Sequence, residues 1–93
     1  MTGYFATAKA GHDRGNLYVI VGEEGANVYL SDGRLRGMAR PKKKNRRHIQ
    51  IIGKTVGPDI LDRLLHKEEV FDHEIKYAIK QYLAGKESAY VEE

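Results

Sequence analysis

Apolar positions along the chain fall into two patterns. Up to about residue 52 they form short runs broken by glycine and polar turns, and beyond it they recur at helical spacing. Tyr4 to Ala8 reads as a first short strand. Residues 17–21 (Leu-Tyr-Val-Ile-Val) form a β-branched and aromatic run with turn residues on both sides, which predicts a strand. Gly22, Glu23, Glu24 and Gly25 read as a turn, and Asn27, Val28, Tyr29 and Leu30 as the returning strand. Asp32-Gly33 is a strong turn signal. Residues 35–38 and 49–52 supply a fourth and a fifth short strand. Five short strands in about fifty residues predict a small, closed, highly curved barrel. The run at 17–21 is apolar on both alternating faces, so something must cover its outer side. The C-terminal segment is the available cover.

That segment is helical in pattern. Gly57-Pro58-Asp59 is a favourable start, because proline is tolerated in a first turn. Ile60, Leu61, Leu64 and Leu65 then form an apolar stripe. Asp72 can cap a second helix. Ile75, Ala78, Ile79, Tyr82 and Leu83 recur at i, i+3, i+4, i+7 and i+8. Gly85 is a natural stop, and the polar residues from Lys86 onward are expected to fray. A break near residues 68–71 separates two helices, with a single kinked helix as the alternative. The expected organisation is therefore mostly β with α: a barrel over 1–54 and a helical extension over 55–93.

Charge changes this picture. Residues 1–54 carry 11 Lys/Arg against 4 Asp/Glu, and residues 55–93 carry 5 against 9. A basic first part joined to an acidic second part points to one nucleic-acid-facing unit. The positive charge is also clustered. Between Arg40 and Arg47 stand Arg40, Lys42, Lys43, Lys44, Arg46 and Arg47. Such crowding is repulsive unless an anion or solvent screens it, and phosphate screens it well. Arg34 and Arg36 lie just upstream, and His48 directly follows and can donate to a phosphate. The competing reading is a solvated loop or arm.

Between the first two strands, Lys9, His12 and Arg14 would project from a loop that Gly11 and Gly15 allow to be tight. No Gly-Lys-Ser/Thr follows it, so it is not a Walker loop. Residues 5–31, with Gly15 as the central glycine, resemble the KOW motif of ribosomal proteins and transcription factors. The likeness continues through Ser31-Asp32-Gly33-Arg34-Leu35-Arg36, Arg40-Pro41-Lys42-Lys43-Lys44, His48-Ile49-Gln50 and the tail Asp72-His73-Glu74-Ile75. Together these are similar to small bacterial KOW-domain RNA-binding proteins, relatives of a large-subunit ribosomal protein of archaea and eukaryotes. The resemblance implies an SH3-like barrel that binds RNA, with ribosomal RNA or the ribosome as partner and ribosomal proteins as further contacts. His12 and Asn16 stand where basic residues are expected in relatives, so the loop is expected to bind less strongly than the basic segment.

Other chemistry finds little support. The chain has no cysteine, which excludes disulfides and thiolate metal sites and fits a reducing compartment. Its histidines are widely spread, and His66 and His73 are too far apart for an i, i+4 metal pair. No nucleophile or second carboxylate is placed by any motif. The expectation is a non-enzymatic, cofactor-free cytoplasmic protein without a small-molecule substrate or membrane partner. Tyr4, Tyr18 and Tyr29 could stack bases, although packing is the simpler role for each. The rival function is a protein-interaction adaptor of the translation or transcription machinery that exposes Leu61, Leu64, Ile75 or Ile79 on its helical tail.

Overall fold

The computed structural model describes residues 1–9 and 15–92. Its elements are β1 (Tyr4–Ala8), β2 (Leu17–Glu24), β3 (Asn27–Ser31), β4 (Lys42–Asn45), a 3-10 turn (Arg46–His48), β5 (Ile49–Thr55), α1 (Pro58–Leu65) and α2 (Asp72–Glu92). The five strands form one antiparallel sheet in the order β4-β3-β2-β1-β5.

Several expected boundaries move. β2 does not stop at residue 21. A bulge between Ile20 and Gly22 bends the strand, pairing resumes at Gly22 with Tyr29, and the hairpin turn shifts to Gly25 and Ala26. No strand forms at 35–38. The Asp32 carboxylate accepts from the backbone N–H of Arg34 (2.8 Å) and of Arg36 (3.0 Å) and closes the chain into a tight turn there. The fourth strand is the lysine run Lys42–Asn45, paired with β3. Gly85 does not end α2, which continues to Glu92.

β4 and β5 are the two edges of the sheet, yet only the three residues of the 3-10 turn join them. In a flat sheet four strand spacings would separate those edges by roughly 19 Å. The backbone from Asn45 to Ile49 reaches about 15 Å at most, and a 3-10 turn is shorter still. The sheet is therefore strongly rolled. Its inner face packs Ala6, Tyr18, Ile20, Val28, Leu30 and Ile49 into one cluster, drawing on strands that are not neighbours.

The outer face packs Phe5 and Val19 beneath Val56, Leu64, Val70, Ile75 and Ala78. This explains the doubly apolar run in β2. Tyr18 and Ile20 point inward, while Leu17, Val19 and Val21 lie beneath the helical segment. The Phe5 and Tyr82 rings stack with centroids 4.7 Å apart.

α1 and α2 are tied by Arg63, which pairs with Asp59 and with Glu74. Glu74 also accepts from the backbone N–H of Phe71 (3.1 Å), satisfying a donor at the start of α2. These partners, Arg63 first, hold the Glu74 carboxyl down at about 2. The expected cap, Asp72, serves another purpose. Its carboxylate accepts from the backbone N–H of Met38 at 2.6 Å and docks the 32–38 loop on the helix. Among the described residues, no helix is long and apolar enough to cross a membrane.

Candidate nucleic-acid interface

Strand geometry dictates how the basic segment is presented. Side chains alternate across a strand, so the lysines of β4 divide between two faces. Lys42 and Lys44 pair with Leu30 and Val28 and share their inward-facing side. Both are half-buried, a burial that long lysine stems lying along apolar surface readily reach. Lys43 pairs with Tyr29 on the opposite face. Lysine at an edge strand also discourages edge-to-edge pairing with another chain, so these residues have a structural use whatever they bind.

Two carboxylates of β2 answer part of this charge. Lys43 Nζ lies 3.6 Å from Glu24, whose carboxylate also accepts from the Tyr29 hydroxyl at 2.7 Å. The Tyr29 hydrogen bond, followed by the charge of Lys43, holds the Glu24 carboxyl below its usual value, and the same contact raises the Tyr29 phenol. Arg46 donates to Glu23 (3.0 Å) and to the Gly25 carbonyl (3.3 Å). Glu23 also pairs with the N-terminal ammonium at 3.2 Å and accepts from Thr2. Burial would raise its carboxyl, but these donors and the ammonium charge outweigh that and lower it. Among the described residues, Glu23 and Glu24 thus answer Arg46 and Lys43 of the six cations between Arg40 and Arg47.

The turn after β4 is locally fixed. Asn45 Oδ1 accepts from the Arg47 backbone N–H at 3.0 Å and caps the 3-10 helix. Arg47 and His48 are exposed. The backbone N–H of Lys9 donates to the His48 carbonyl at 3.0 Å, which seats the start of the β1–β2 loop beside the turn. His12, Arg14 and Gly11 of that loop lie outside the described residues. Gly15, at its end, has a φ of +85°, which only glycine adopts without strain, and open space where a side chain would stand.

Arg34 and Arg36 stand on the 32–38 loop, which docks on α2. The Ser31 hydroxyl donates to the Arg36 carbonyl at 2.7 Å, and Gly33 packs tightly on Asp72 and Lys76 at the start of α2. Arg34 thereby joins Lys76 and Lys80 around a groove of about 550 Å³. The two lysines fall in the net-acidic half of the chain, so neither charge balance nor spacing singles them out; only the docking of the loop on α2 brings Arg34 to them. Of the tyrosines, Tyr18 is buried in the inner core, Tyr29 is engaged with Glu24, and Tyr4 is 36% exposed.

Among the described residues, no group of three His, Cys, Asp or Glu is placed to hold a metal ion. No protein-family model and no curated protein matches the chain.

Proposed function

We propose that this protein binds structured RNA, ribosomal RNA foremost, through the edge formed by β4, the 3-10 turn and Lys9, and that its rolled sheet is a closed SH3-like barrel of the KOW type. The single observation that carries this reading is the run Lys42, Lys43, Lys44, Arg46 and Arg47, which β4 and the 3-10 turn hold together on one folded edge.

Such an edge acts by neutralising phosphates and releasing their counterions. Lys42 and Lys44 on one face and Lys43 on the other suit a curved backbone path better than a flat one. Arg46 and Lys43 exchange Glu23 and Glu24 for phosphate when RNA arrives, so their net contribution is smaller than that of unopposed cations. Contacts of this type position the RNA without reading its sequence. No exposed tyrosine stands on the edge itself, which fits shape recognition better than base stacking.

Fluorescence anisotropy with a ribosomal RNA hairpin tests this reading. The expected result is saturable binding that weakens steeply with added salt. Weak, salt-insensitive binding contradicts it.

The adaptor reading needs Leu61, Leu64, Ile75 or Ile79 on the surface. Leu64 and Ile75 are buried, and Leu61 and Ile79 pack against the same core. Leu61 and Ile79 keep part of their surface accessible, so a docking surface on the helical side draws on Ile79 together with residues outside these four.

A further inference from the structure

Leu35 is 91% exposed, the most exposed large apolar residue among those described, yet its loop is tightly held. Asp32 Oδ1 accepts from two backbone N–H groups, Asp32 N–H donates to the Arg36 carbonyl at 3.0 Å, and Ser31 Oγ braces the same turn. Met38 and Gly33 fasten the loop to α2. An apolar side chain presented on a fixed turn loses little conformational freedom when a partner covers it. Beside it, Leu83 is 49% exposed, and Leu17 and Ile79 help to line the groove. Among the described lining residues, Arg34, Lys76 and Lys80 supply its charge against the carboxylate of Asp32, which accepts from backbone donors.

We propose that this groove between the 32–36 turn and α2 is a protein-docking site for an acidic amphipathic peptide segment, with leucine-like anchors against Leu35, Ile79 and Leu83 and carboxylates toward Arg34, Lys76 and Lys80. The charge complementarity selects an acidic occupant. The leucines select a peptide over RNA, because bases stack on aromatic and guanidinium planes rather than on aliphatic side chains, whereas a buried aliphatic anchor beside complementary charge is a common basis of peptide recognition. None of the residues that line the groove belongs to β4, the 3-10 turn or Lys9, so this inference does not rest on RNA binding there. The protein would then bridge an RNA and an acidic protein segment.

The test uses the full chain and a fluorescein-labelled helical peptide of about 18 residues with leucines at i, i+4 and i+7 spacing and glutamates elsewhere. Matched peptides carry lysine for glutamate or serine for leucine. Saturable binding of the acidic leucine peptide alone is expected, weakened about tenfold by Leu35→Ala and about tenfold by K76E/K80E. Both variants change solvent-exposed positions, and their circular dichroism should match that of the parent chain. Backbone amide shifts should move at 34–35 and 76–83.

Equal binding of the lysine peptide, or affinity unchanged in both variants, overturns the proposal, as does absence of saturable binding. A dimer in sedimentation that blocks the peptide makes a second copy the occupant and overturns it too. So does an RNA hairpin that shifts the 34–35 and 76–83 amides and excludes the peptide.

Discussion

The protein carries two cationic surfaces that differ in what lies between the charges. Along β4 and the 3-10 turn, lysines and arginines stand side by side, broken only by Asn45, and are partly answered by Glu23 and Glu24. Around the 32–36 turn and α2, three cations rim exposed leucines. The first arrangement suits a polyanion. The second draws an acidic partner and gives it an anchor. Positive charge alone does not define a function; the neighbours of each charge do.

The comparison depends first on the helices holding their place. Ile75 is fully buried between α2 and the sheet. Ile75→Ala should cost about 3 kcal/mol in urea unfolding. It should also loosen the α2 groove while the β4 edge keeps its RNA affinity per folded molecule. Equal damage to both surfaces would show that they are not independent.

Next in size is Gly33→Ala. Gly33 has a φ of +72°, and an added methyl would collide with the Asp72 carbonyl. The expected loss is about 2 kcal/mol, with peptide binding at the groove lost and RNA binding unchanged. A neutral Gly33→Ala variant would show that the loop is not pinned to the helix.

A smaller effect separates the surfaces directly. K76Q/K80Q should change RNA affinity by less than about threefold at physiological salt, because those lysines stand on α2 and not on the β4 edge, and an exposed charge away from a contact acts only through screened, longer-range fields. A larger loss would extend the RNA surface on to α2.

The last effect is read in the acid limb of a stability–pH curve. Glu74 sits at about 2, below the usual 4.5, because Arg63 stabilises its charged form. A depressed carboxylate contributes stability above the ordinary value and loses it as pH falls from there toward 2. Glu74→Gln should flatten that part of a stability–pH curve. A variant with the same acid dependence as the parent would remove Arg63–Glu74 from the account.

Much of this architecture is legible in the sequence. β1 and the start of the return strand follow from local composition, and the two-sided apolar run at 17–21 announces that both faces of β2 are covered. The helix start at Gly57-Pro58 and the i, i+4 stripe from Ile75 are equally plain. The misplaced fourth strand shows what local pattern cannot supply. Leu35 to Met38 has the right residues for a strand, but the Asp32 side chain captures its backbone donors. Lys42–Asn45 has the wrong residues, yet an edge strand needs pairing on one side only and lets lysine amines escape to solvent. Likewise the basic segment is visible as a charge run, while its division between two faces and the Arg46–Glu23 contact depend on pairing between distant residues. Gly85 fails as a stop because a helix interior tolerates a single glycine at a cost of about 1 kcal/mol.

The central claim is that the β4 edge neutralises RNA phosphates. It is tested most directly by measuring the affinity of a ribosomal RNA hairpin across a salt series, for the parent chain and for a variant with Lys42, Lys43, Lys44, Arg46 and Arg47 replaced by alanine. The account predicts about hundredfold weaker binding at low salt and a log–log salt slope shallower by about 3 to 4, less than the five charges removed because contacts such as Lys43–Glu24 and Arg46–Glu23 already offset part of that charge. An unchanged affinity and slope would contradict it.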